Sequence, residues 1–132
     1  MSACPADLPP GEDPLLAGIE AVQRAAEAAA RALVEVSRRL EESRRQRAMG
    51  MPLPMIADAY VQAERIETRH RAAAAMQEYE RAYMLLRAEL VRSLVEDHGY
   101  TLTEVAKTMQ ISRQLVSRLL DAGRSGTFDP AG

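Results

Sequence analysis

The chain has 132 residues, 47% of them hydrophobic but only 4% aromatic, with no tryptophan. That composition excludes a thick globular core and points to thin, alanine-rich helices packed closely together. A net charge of −2 excludes a molecule that is polycationic throughout.

Pro5, Pro9, Pro10, Gly11 and Pro14 cannot share a helix, so residues 1–13 read as a flexible leader. The leader holds the single cysteine, Cys4, which fits a reducing cytoplasm. Acidic residues and prolines stand where a secretion signal needs a basic region and an apolar run. No stretch of about 18 apolar residues follows either. The expectation is a cytoplasmic protein, placed at the nucleoid by the motif below, with no membrane partner.

After the leader, Leu15, Ile19, Val22, Ala26, Ala29, Leu33, Val36 and Leu40 alternate in steps of four and three. This is an apolar heptad seam, and it predicts a helix that ends near Arg47 or Met49. Glu20 with Arg24, Glu27 with Arg31 and Glu35 with Arg39 are acid-first pairs four residues apart on its outer face. Gly50, Pro52 and Pro54 then mark a turn. A second helical stretch, 55–97, contains no Gly or Pro, and its apolar spacing predicts one uninterrupted helix.

Two antiparallel helices joined in this way form a hairpin. Heptads of this length occur in monomeric bundles as well as in coiled coils. Pairing two hairpins would bury both sides of their thin stripes, so a homodimer through residues 14–84 is expected.

At His98–Gly99 the second helix is expected to stop, with Gly99 as a left-handed cap. Thr101 and Glu104 have the spacing of a capping box, which predicts a short helix over 102–109. Ser112 is placed to cap another helix over 113–121, closed by Gly123 and Gly126. Ala106 suits a close crossing of these two helices, and Val105, Met109, Ile111, Val116 and Leu119 supply an inward apolar face. Leu86, Leu90 and Leu94 of a supporting helix are expected to close that core against Val105 and Val116. Charge is locally positive here. Four bases (Lys107, Arg113, Arg118, Arg124) face two acids (Glu104, Asp121) between His98 and Gly126.

With Ala106 and those five apolar positions, residues 102–121 resemble the helix-turn-helix family of bacterial and phage regulators. The wording Ile111-Ser112-Arg113-Gln114 and Val116-Ser117-Arg118-Leu119-Leu120 resembles sigma-factor-type modules. The family usually has Gly in the turn where this chain has Gln110, a position that commonly takes positive φ at a cost of about 1 kcal/mol to other residues.

The resemblance implies an all-α protein with a tri-helical DNA-binding head over 85–124, a helical arm before it and a tail at 125–132. It implies that helix 113–121 reads the major groove of double-stranded DNA through Arg113, Gln114, Ser117, Arg118 and Asp121. Thr101, Thr103, Lys107, Ser112 and Arg124 would take phosphates. A dimeric transcription regulator is the leading expectation. A nucleoid-associated architectural protein and an adaptor that docks a partner such as an RNA polymerase component are the alternatives.

Nothing in the sequence assembles a catalytic or cofactor site, so no enzyme activity is expected. Glu67-x-x-His70 has the spacing found in di-iron bundles, but no second copy accompanies it, and no metal is expected. Arg44, Arg45 and Arg47 form a basic patch with two readings, a contact to DNA or to a partner's acid and, by default, a solvated loop. A thin hairpin also encloses little volume, so no small-molecule effector is indicated.

Overall fold

A computed structural model describes residues 13–126, and among them the chain is all helix. In order come α1 (Pro14–Ala48), α2 (Leu53–Tyr60), α3 (Ala63–Glu96), α4 (Leu102–Met109) and α5 (Arg113–Ser125). The expected leader and most of the expected tail lie outside the described residues. No described helix is long and apolar enough to cross a membrane.

α1 begins where Asp13 Oδ1 accepts hydrogen bonds from the Leu15 and Leu16 amides, at 2.9 and 3.4 Å. With Pro14 at the first helical position, this is a complete start signal, one the sequence reading did not use. The helix ends as expected, before Gly50 in its left-handed conformation (φ 89°). Of the three expected acid–base pairs on α1, Glu35–Arg39 forms, at 3.3 Å.

The expected single helix over 55–97 is instead two. α2 starts two residues earlier, at Leu53, because Pro54 is tolerated in a first turn. The chain then breaks at Val61 and Gln62. The Gln62 amide turns back to the Ala59 carbonyl, and the Gln62 carbonyl accepts from Arg65 and Ile66 to start α3. Neither residue is a helix breaker, so composition gave no warning.

Two compact units divide the chain. One comprises Arg24–Tyr79, the other the chain up to Gln23 together with that from Glu80 onward. Within Arg24–Tyr79, α1 and α3 run antiparallel. Arg65 near the start of α3 donates to Ser43 Oγ near the end of α1 at 2.5 Å and lies 3.5 Å from Glu42. Small residues fill this interior: Ala25, Ala29, Ala72 and Thr68 are buried. Side chains this short let two backbones approach closely but bury little area each. The larger seam residues Leu33 and Leu40 remain 46% and 52% exposed.

The other unit holds the larger core. Ala88 and Val91 of α3, Val105 of α4, and Val116, Leu119, Leu120 and Ala122 of α5 form one buried cluster. Leu94, Val95, Met109 and Ile111 pack on its edge. The face that α3 presents is therefore not the expected Leu86–Leu90–Leu94 stripe, of which only Leu94 belongs to the cluster. Ala88 and Val91 take that place, and α5 comes close to α3 at Ala88. A Cβ on Gly123 would stand 2.6 Å from the Ala88 carbonyl oxygen. Leu86 lies instead beside Gly18, near the start of α1.

Candidate nucleic-acid interface

Local sequence rules fix both ends of α4. Thr101 Oγ1 accepts from the Glu104 amide at 3.1 Å, and Glu104 Oε1 accepts from the Thr101 amide at 3.2 Å. The expected capping box is thus complete. At the other end Gln110 adopts φ 58° and ψ 44°, the left-handed conformation anticipated for a position where glycine is usual. Its neighbour Ile111 donates to the Ala106 carbonyl at 3.1 Å, which tightens the connection. α5 then starts on Ser112, whose Oγ accepts from the Leu115 amide at 3.1 Å.

Replacing Gln110 with glycine removes the left-handed penalty but adds backbone freedom to the unfolded chain. A net gain of no more than about 0.5 kcal/mol is expected in denaturant unfolding. A loss would show that the Gln110 side chain contributes something its backbone conformation does not reveal.

α5 runs through Gly123 to Ser125, four residues beyond its expected end, so Gly123 is a packing residue rather than a stop. One face of α5 carries the buried Val116, Leu119, Leu120 and Ala122. The opposite face carries Arg113, Gln114, Ser117, Arg118 and Asp121, all exposed. Thr101, Thr103, Lys107 and Ser112, named as phosphate contacts, are exposed as well, although Thr101 and Ser112 already use their hydroxyls as caps. The five base-facing candidates share one helix face, and the four others stand on α4 and the cap positions beside it.

Arg124 behaves differently. Its Nε donates to Glu96 Oε1 at 2.7 Å, joining the end of α5 to the end of α3. Glu96 also receives Arg92, at 3.1 Å, and Arg92 pairs in addition with Glu89 and Asp97. Hydrogen bonds from Arg124 and then from Arg92 hold the Glu96 carboxyl below the usual carboxylate range. A lowered folded-state pKa stabilises the fold above the ordinary value near 4.5 and ceases to do so as pH falls through the lower one. The thermal-stability advantage of the wild type over Glu96→Gln should therefore be full at neutral pH and shrink as the pH falls below about 4.5. A constant difference would mean that the carboxylate is not what joins α3 to α5.

No family model, curated protein or solved structure matches this chain. The reading of the site therefore rests on its geometry.

Other charged features are already occupied. Arg44 is held by Glu41 at 2.6 and 2.7 Å, Arg45 lies 3.6 Å from the same carboxylate, and Arg47 donates to the Met51 carbonyl. Glu67 pairs with Arg71 at 3.0 Å, and among the described residues no group of three or more His, Cys, Asp or Glu is gathered as a metal site would need.

Proposed function

We propose that the chain is a DNA-binding protein, a dimeric transcription regulator that reads the major groove with α5. The observation that carries this reading is the division of α5 into a fully buried apolar face and an exposed face of Arg113, Gln114, Ser117, Arg118 and Asp121. Arg bonds bidentately to guanine O6 and N7, Gln to adenine N6 and N7, and a carboxylate accepts from cytosine N4. All three chemistries lie on one helix whose N-terminal end, where groove-reading helices meet bases, carries Arg113 and Gln114. Lys107 and Thr103 stand where phosphate contacts would set register. Arg124 also joins α5 to α3 through Glu96, and Lys107, Arg113 and Arg118 are the cations proposed for DNA.

The partner is double-stranded DNA, bound by a homodimer. Ile19 and Leu33, both on the heptad seam of α1, are 38% and 46% exposed in the single chain. A second copy would cover them, and two heads would raise effective concentration at a paired site.

The test is selection from a randomised duplex pool, with Arg113→Ala/Arg118→Ala as the control. A bidentate contact contributes about 1–3 kcal/mol, so the double variant should lose at least tenfold in affinity for the enriched sequence. Three cations on each of two heads predict a slope of log affinity against log salt on the order of −5. Tight binding without enrichment would replace the regulator with an architectural protein. No binding by the wild type at low salt would refute the reading and favour a protein partner.

A further inference from the structure

We infer that the Arg24–Tyr79 unit carries a binding site for a small organic anion, specifically an aromatic monocarboxylate. This inference goes beyond the DNA reading and does not rest on it.

The unit contains a cleft of about 320 Å³ between α1, the end of α2 and the start of α3. That volume falls at the lower end of the range for small-ligand sites. Its apolar wall is built by Val36, Leu40, Tyr60 and Ile66. Its basic wall is built by Arg39, Arg65 and Arg69, with no carboxylate among the lining residues. The break at Val61 and Gln62 lies within this lining: Tyr60 is the last residue of α2 and Ile66 belongs to α3.

Charge sets the ligand's valence. Arg39 lies 3.3 Å from Glu35 and Arg65 lies 3.5 Å from Glu42, both carboxylates outside the cleft. Arg69 has no ion-pair partner among the described residues, so three guanidiniums face two carboxylates and one positive charge is left over. Glu35 is moreover shared with Arg38, at 3.1 Å. A monoanion balances the cleft, and Arg69 is placed to take it in a bidentate hydrogen bond.

Geometry sets the ligand's body. The Arg65 side chain is only 11% exposed and is anchored on Ser43, so its guanidinium plane is held in place. Planar guanidiniums and the Tyr60 ring both favour a flat aromatic partner over a flexible chain. Half-exposed Leu40 and Ile66 would gain burial when such a ring enters.

The experiment is calorimetric titration of the full chain with 1-naphthoate, with its neutral counterpart 1-naphthalenemethanol, and with inorganic phosphate. The expected result is saturable binding of naphthoate, one per chain, with both comparison compounds at least tenfold weaker. Arg69→Gln should weaken naphthoate by about tenfold to a hundredfold, the loss of the charge-assisted pair, with circular dichroism and melting temperature unchanged. Ile66→Glu, at an exposed position, should abolish binding by adding a carboxylate to the mouth. Equal binding of the alcohol would overturn the inference, as would phosphate binding as tightly as naphthoate. So would wild-type affinity in both variants, or no saturable binding of naphthoate by the wild type. Because DNA affinity is read in a separate assay, failure of one proposal leaves the other standing.

Discussion

Leu119→Ala is expected to lower the unfolding free energy by about 2–5 kcal/mol, a large share of what a domain this small possesses. Leu119 is the bulkiest fully buried side chain of its cluster, where the other fully buried large side chains are Val91, Val105 and Val116. Truncation leaves a void between α3, α4 and α5. The three helices can close it only by shifting α5, and the close seat of Gly123 on Ala88 opposes that shift. Denaturant unfolding would show the loss as a lower midpoint at unchanged slope. Leu119→Met, which conserves volume, should cost less than about 1.5 kcal/mol. A loss below about 1 kcal/mol for the alanine variant would mean that the core is not organised around this side chain.

Gly123→Ala carries the sharper test, because its sign is at issue. In an exposed helix interior, replacing glycine with alanine stabilises by about 1 kcal/mol. Here the added methyl would lie 2.6 Å from the Ala88 carbonyl oxygen and 2.9 Å from Arg92 Cβ. Backbone cannot swing aside as a side-chain tip can, so α5 must move away from α3. A net destabilisation of about 1–3 kcal/mol is expected, with weakening of the Arg124–Glu96 pair. A stabilised variant would show that α5 and α3 do not pack at this distance. Gly126→Ala is the natural comparison: its Cβ would meet nothing within 4 Å, and only the left-handed φ of 74° opposes it.

The same glycine shows where the sequence could and could not be read. Glycine near the end of a helical pattern usually means a stop, and only the neighbouring Ala88 reveals a close crossing instead. The caps were legible because each needs only residues within one turn: Thr101 with Glu104, Ser112, and Gln110 at a position of known handedness. The apolar face of α5 was legible for the same reason. The face that α3 turns to the core was not. Choosing Ala88 and Val91 over Leu86 and Leu90 depends on how near another helix comes, and no local rule carries that distance. The break at Val61 and Gln62 left no trace in composition, and with it the cleft beside Arg69 was missed. The pairing of Arg124 with Glu96 was not legible, because the two lie twenty-eight residues apart.

The interior of the Arg24–Tyr79 unit, built from three alanines and a threonine, has a thermal consequence. The heat-capacity change on unfolding follows the apolar area that leaves water, and methyl groups contribute little of it. The free energy of this unit therefore curves only weakly with temperature, without a sharp optimum. The unit built around Leu119, Val91, Val105 and Val116 follows the steeper dome of an ordinary hydrophobic core.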